Sequence, residues 1–239
     1  MTKPEPKPKP ERVVNLLLEG LPARERNKIV AGSDTVELVF GSILCEADES
    51  YRYVYFPLCG FISLVTIIGG SKPLEVGLIG YEGMLGATVV LGQKLAPLRA
   101  VVQGDGSALR IPVPQFRRML RDSPALQRML NRYLFVFMAQ LTQTAGCNRY
   151  HEVRARLARW LLMTHDRAHA DHFHLTHEFL ADMVGVQRSV ITIAAVALKK
   201  QKLIRYTRGE ITILDRKGLE AASCECYEAA LKDYQQLFA

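Results

Sequence analysis

Apolar positions change their period along this chain, and the changes mark its parts. Residues 11–31 carry Leu16, Leu17, Leu21 and Ile29, with Pro22 placed to open a helix, so a short helical lead-in is predicted. From about residue 36 to residue 111 the pattern breaks into short β-rich runs, at 36–40, 53–56, 60–68, 74–79, 100–103 and 108–111. Pro57, Gly60, Gly69, Gly70, Gly80, Gly104 and Gly106 punctuate them. Many short strands at turn spacing predict an all-β sandwich or barrel of jelly-roll type.

Helical periodicity returns after residue 113. Residues 114–121 form one short helix, and Asp122 or Ser123 caps a longer one with Pro124 at its first position. This helix is predicted to run to about Ala145, where Gly146 and Asn148 break it and supply a hinge. Leu126, Leu130, Tyr133, Leu134, Phe137, Met138 and Leu141 give it an apolar surface wider than one neighbour needs, which predicts a dimer interface. Packing on its own barrel would need an apolar stripe as well. Residues 152–167 read as a further helix, with Val153, Leu157, Trp160, Leu161 and Met163 inward and Arg154, Arg156 and Arg159 outward. Residues 217–238 close the chain as one helix.

Between these lies the most specific stretch, residues 175–215. Thr176 stands where an N-cap belongs, Leu175 and Leu180 have staple spacing, and Glu178 suits the positive end of the helix dipole. Gly185 stops that helix because a left-handed C′ residue costs glycine nothing. A second helix follows from about Gln187 to Lys200, burying Ile191, Ala194, Ala195 and Leu198. Ala181, Gly185 and Ile191 make the pattern a helix-turn-helix. The unburied face of the second helix carries Gln187, Arg188, Ser189, Thr192 and Ile193, groups able to read base edges in a major groove. Residues 203–206 and 211–214 form a hairpin joined by Thr207, Arg208, Gly209 and Glu210, a wing to which Arg205 and Arg208 bring positive charge. An ordinary helical hairpin with a solvated face is the bland alternative; the agreement of turn, wing and charge weighs against it.

Charge strengthens this reading because it is uneven. The chain of 239 residues has a formal net charge of +7, and residues 149–208 hold eleven Lys or Arg against five Asp or Glu. Phosphate neutralisation requires such a local excess. The opening residues alternate Lys, Glu and Pro without an apolar core, so they are expected to be an extended, disordered tail rather than a secretory signal. The five cysteines are odd in number and scattered, and no apolar run reaches membrane-spanning length, so a reducing, cytoplasmic location without a membrane partner is expected.

The order of β-barrel, long helix and winged helix-turn-helix resembles the cyclic AMP receptor protein (CRP/FNR) superfamily of transcription regulators. The resemblance rests on VYFPLCGFISLV, EVGLIGYEGMLGA, AGCNRYHEVRARLARWLLM, LTHEFLADMVGVQRSVIT and LIRYTRGEITILD, and covers nearly the whole chain after the tail. It is similar to a branch ending in C-x-C-Y, here Cys224, Glu225, Cys226 and Tyr227. The fold class implied is α+β: a tail over residues 1–12, a cyclic-nucleotide-binding-like barrel over 13–121, a dimerisation helix over 122–147 and a winged helix-turn-helix over 148–239.

The resemblance implies a homodimer on a palindromic operator, the two recognition helices entering major grooves about 34 Å apart. Its base-reading positions fall on Gln187, Arg188, Ser189, Thr192 and Ile193, with Thr176, Arg205 and Arg208 as further DNA contacts. Ser189 and Ile193 replace an acidic residue and an Arg of the founding members, so their half-site is not expected here. Double-stranded DNA, a second copy, a small-molecule effector and RNA polymerase are the implied partners. The effector pocket maps to Glu82, Gly83, Gly86 and Arg99. Ala87 stands where a ribose-binding Glu belongs, and residues 96–100 read Ala, Pro, Leu, Arg, Ala with Arg99 displaced, so cyclic AMP is not the expected effector. A ligand-binding barrel that regulates a protein partner through its helical half is the alternative function.

No cofactor, metal or catalytic residue is predicted. Six histidines lie between His151 and His177, and His165, His169, His172, His174 and His177 could in principle hold a metal, but they read more simply as a polar loop. Cys224 and Cys226, two apart on a helix, would point about 200° apart and could not share an ion. An iron–sulfur cluster of the oxygen-sensing kind needs four closely placed cysteines, and the N-terminal segment has none. Enzyme signatures such as Gly-x-Ser-x-Gly or His-Glu-x-x-His are missing from the sequence.

Overall fold

The computed structural model describes residues 14–70, 72–168, 172–207 and 209–239. The expected N-terminal tail, His169 and Arg208 lie outside the described residues.

Two short helices lead in, α1 (Leu16–Glu19) and α2 (Ala23–Ala31). The buried Asn15 ties α1 to the barrel, donating to the carbonyls of Pro57 at 3.0 Å and Gly83 at 2.8 Å. The β region is built from β1 (Asp34–Leu38), β2 (Ile43–Cys45), β3 (Tyr53–Thr66), β4 (Leu74–Ile79) and β5 (Arg99–Pro112). Its sheet order is β1-β5-β3-β4, with β2 also paired to β5.

Two pairs of expected short strands are thus fused. β3 and β5 each run 14 residues, antiparallel from Tyr53 opposite Pro112 to Val65 opposite Arg99. Register shifts around Cys59 and Phe61 bend the pair where the sequence suggested a break. Gly60 and Gly106 face each other there, and a Cβ on Gly106 would strike the Cys59 carbonyl. A turn glycine in the sequence is therefore a bulge glycine in the fold. Alternation sets the layers: Val54 and Phe56 join a core with α1, α2 and the later helices, whereas Tyr55, Ile62 and Leu64 fill the other face.

Helix α3 (Val113–Asp122) leads into α4 (Pro124–Tyr150), capped by Ser123, whose Oγ accepts from the Leu126 amide at 3.0 Å. Helix α4 does not end near Ala145. It continues through Gly146 and Asn148 for 27 residues, and the chain leaves it only at His151 (φ −101°, ψ 144°). One glycine costs a helix about 1 kcal/mol, which the surrounding turns override. The helix break expected at Gly146 therefore falls at His151 and Glu152.

Helix α5 (Val153–Ala168) follows, then β6 (His172–His174), α6 (His177–Val184), α7 (Arg188–Lys200), β7 (Ile204–Thr207), β8 (Glu210–Ile213), α8 (Arg216–Ala222) and α9 (Cys226–Phe238). The single closing helix is two helices, because Ser223 turns extended and Cys224 and Glu225 form a joint. The wing gains a third strand in the order β6-β8-β7, drawn from the histidine-rich segment read as a loop.

The two halves share one core. Phe61 and Leu78 of the β region pack with α5, α6 and α7. Polar contacts cross the same boundary: Trp160 Nε1 donates to Glu75 Oε1 at 2.8 Å, and Arg167 Nε donates to Glu82 Oε1 at 2.8 Å. Lys72 pairs with Glu178 and, at 3.3 Å, with Asp182. Helix α9 returns along α4, where Tyr234 Oη donates to Gln140 Oε1 at 3.2 Å and Arg132 donates to the Gln236 carbonyl at 2.9 Å.

Candidate nucleic-acid interface

Helices α6 and α7 are bent by 105° across a break of three residues. The Thr176 hydroxyl accepts from the Phe179 amide at 3.2 Å, as an N-cap must. Gly185 is left-handed (φ 70°, ψ 45°) and its amide closes on the Ala181 and Asp182 carbonyls. Ile191, Ala194, Ala195 and Leu198 are buried against α5 and α6, which fixes the other face of α7 outward.

That outward face holds the expected base readers together. Gln187 is the N-cap of α7, Arg188 and Ser189 open its first turn, and all three are exposed. Ile193 is 71% exposed, and Val196, which the sequence reading passed over, is 44% exposed. Isolated apolar groups held out on a helix face, among donors, suit thymine methyls. Thr192 is half-buried and its Oγ is committed: it donates to the Arg188 carbonyl at 2.9 Å and lies 2.9 Å from His177 Nδ1. Arg205 projects from β7 and reaches Thr212 Oγ1 at 3.4 Å.

His177 organises this surface and was hidden within the histidine-rich run. Its ring stacks on Tyr206 at 4.3 Å between centroids and 11° between planes. Burial, with the nearby Arg188 charge, pushes its pKa below the ordinary value. A neutral imidazole therefore joins α6, α7 and the wing. Among the described residues, His174 pairs with Glu210 at 2.7 Å, and His165 lies 2.5 Å from Arg216.

Elsewhere three expectations need correction. Glu82 is not solvated; it is buried at 6% exposure and bound to Arg167 of α5. Arg99 is paired with Glu46 at 2.6 Å, and Gly83 packs on the Tyr133 ring, so these three do not converge. Gly86 alone lines the neighbouring apolar cavity, about 660 Å³, between the strands and α4, with Leu64, Leu85, Leu98 and Phe137 among its walls. On α4, Leu126, Leu130, Tyr133 and Leu134 are buried within the chain's own core, so they cannot meet a second copy. Phe137 and Leu141 are half-buried, and only Met138 of the expected set is open, at 59%, beside Phe135 at 70%. Arg156 is likewise not outward: it is buried, donating to Asn148 Oδ1 at 2.7 Å and to the Val184 carbonyl.

Residues 155–222, which span α5 to the end of α8, match the Crp-like helix-turn-helix domain. No curated protein matches the chain in sequence. Solved structures match its fold over most of its length. FixK2 from Bradyrhizobium japonicum is 15% identical, with a TM-score of 0.67 over 80% of this chain and 98% of that one. A protein of the CRP/FNR family from Eubacterium rectale is 18% identical, with a TM-score of 0.66 over 86% and 96%. A CRP-family transcriptional regulator from Thermus thermophilus is 17% identical, with a TM-score of 0.65 over 79% and 96%. The chain therefore has the α+β fold of these CRP/FNR-family structures, and the match to the Crp-like domain falls on its helix-turn-helix and wing. Among the described residues, no single helix is long and apolar enough to cross a membrane.

Proposed function

We propose that the chain is a sequence-specific, DNA-binding transcription regulator of the CRP/FNR type that acts as a homodimer on a palindromic operator. The observation that carries this reading is the exposed row Arg188, Ser189, Ile193 and Val196 on a helix whose opposite face is buried. Arg188 forks onto a guanine edge, and Ile193 and Val196 meet thymine methyls. Gln187 reads at the rim, Thr176 and Arg205 take phosphates, and Thr192 holds its neighbours in place.

Phe135 and Met138 support a two-fold contact along α4, narrower than the surface read from the sequence. The cavity beside it favours an apolar effector over a nucleotide, since Arg99 is paired elsewhere and Ala87 offers no acceptor. RNA polymerase remains an expected partner of such a regulator.

Selection on random DNA, followed by a salt-controlled shift assay, tests the reading. Arg188→Ala should weaken binding to the selected site by roughly 1–3 kcal/mol and relax one base position. Failure to select any sequence, or a steep salt slope without preference, would leave a non-specific DNA binder.

A further inference from the structure

Cys147 lies in the last turn of α4 and His151 caps that helix, one turn further on the same face. In the fold they meet Cys224 and Cys226. Because α8 ends at Ala222 and α9 begins at Cys226, Cys224 lies in the joint between the helices and Cys226 opens the second, and their Sγ atoms gather on one side. The premise that separated them by about 200° was the unbroken closing helix, and it fails here.

The three Sγ atoms and the imidazole nitrogen all lie within 4.8 Å of one another. Cys147 and Cys224 Sγ are 3.6 Å apart, and Cys226 Sγ is 3.5 Å from His151 Nδ1. A tetrahedral zinc with sulfur ligands at about 2.3 Å has edges of roughly 3.8 Å. A cubane cluster would bind each side chain to a different iron and hold the four farther apart. The surroundings fit one ion. All three cysteines are buried, while His151 sits at the rim. The other ring nitrogen, Nε2, lies 3.0 Å from Glu225 Oε1, which would fix the tautomer with Nδ1 free to coordinate. Cys226 is the first residue of α9, where the helix dipole favours a thiolate. Arg159 adds a positive charge beside Cys147, opposing the excess negative charge of three thiolates on one divalent ion.

We propose that Cys147, His151, Cys224 and Cys226 bind a single zinc ion that fastens the end of α4 to the joint between α8 and α9. The ion is structural, since four protein donors leave no open position. It sits where the chain turns from the long helix into the Crp-like domain, and it does not depend on the DNA-binding reading.

The test uses the full chain, purified under reducing conditions, with metals measured by elemental analysis. One zinc per chain is expected, released when a mercurial titrates the thiols. Cobalt substitution should give tetrahedral d–d bands with thiolate charge transfer. Cys226→Ser and Cys147→Ser should abolish binding, and Cys45→Ser with Cys59→Ser should leave the stoichiometry unchanged. His151→Ala, at the rim, guards against loss through misfolding. Glu225→Gln should lower zinc affinity about 10–100-fold. The proposal is overturned by folded, fully reduced protein that takes up neither zinc nor cobalt, or by metal retained in the Cys147→Ser/Cys226→Ser double variant. Iron with acid-labile sulfide, or a Cys147–Cys224 disulfide in protein alkylated at lysis, would overturn it too.

Discussion

Trp160 and Glu75 meet across the boundary between the β region and α5, the indole N–H donating to a carboxyl oxygen at 2.8 Å. Glu75 is buried, and burial pushes its pKa up to about 7 from 4.5, against the hydrogen bonds from Ser63 and Trp160. The proton has a place to go. Ser63 Oγ lies 2.6 Å from Glu75 Oε2 and 2.5 Å from Gln103 Oε1, yet a hydroxyl has one hydrogen. A protonated Glu75 donates to Ser63, which then donates to Gln103, and every group is satisfied.

The sign of the pH dependence follows. An acid whose folded pKa is raised stabilises the fold most below its unfolded pKa, and that contribution is lost as pH rises through the folded value. Between about pH 4.5 and 7 the loss should approach roughly 3 kcal/mol. Glu75→Gln mimics the protonated acid. Its denaturation profile should lack this component, and it should exceed the parent in stability at pH 8. Equal pH profiles for the two proteins would show that Glu75 is not the titrating group.

Glu82 and Arg167 form a second bond across the boundary, each almost wholly buried. Removing one partner strands the other, so Glu82→Ala or Arg167→Ala should each cost about 3–5 kcal/mol. The double variant should cost clearly less than the sum, a coupling that a double-mutant cycle by urea denaturation measures. Additive costs would mean the two residues act separately.

Gly146 offers a direct contrast between a hinge and a helix. It lies inside α4, and a Cβ there meets nothing within 4 Å. Gly146→Ala should therefore stabilise the protein by up to about 1 kcal/mol and leave operator binding intact. Gly185→Ala should do the opposite. Its φ is 70°, and the added carbon would lie 2.5 Å from Leu74 Cδ1 of the β region, so both backbone and packing suffer. Thermal melts of the two variants should move in opposite directions.

On α4 the same experiment separates fold from assembly. Phe135→Asp with Met138→Asp alters only exposed positions and should convert a dimer to a folded monomer, seen by light scattering. Leu130→Ala, at a fully buried site, should instead cost about 2–5 kcal/mol of folding stability. A double Asp variant that stays dimeric would place the contact elsewhere.

What could be read from the sequence was local in origin. The Thr176 cap, the Gly185 turn and the alternation of buried and exposed positions on α7 are set within a few residues, and each stands where expected. Ser123 and Pro124 likewise announced the start of α4. Pairings over long separations were not legible. Glu82 looked like a turn residue because its partner lies 85 positions away, and Cys147 meets Cys224 across 77. Gly146 misled because glycine weakens a helix by less than packing restores. Strand β6 was missed because three residues with polar neighbours carry no period of their own.

The return of α9 along α4 ties the C-terminal half to the long helix a second time. A domain held by one connecting turn is a swivel, free to sweep a cone. This half is attached where α4 hands over to α5, again where Tyr234 and Leu237 rest on the far part of the same helix, and between them through the core shared with Phe61 and Leu78. Separated anchors along one rod, with a shared core between them, oppose such a sweep.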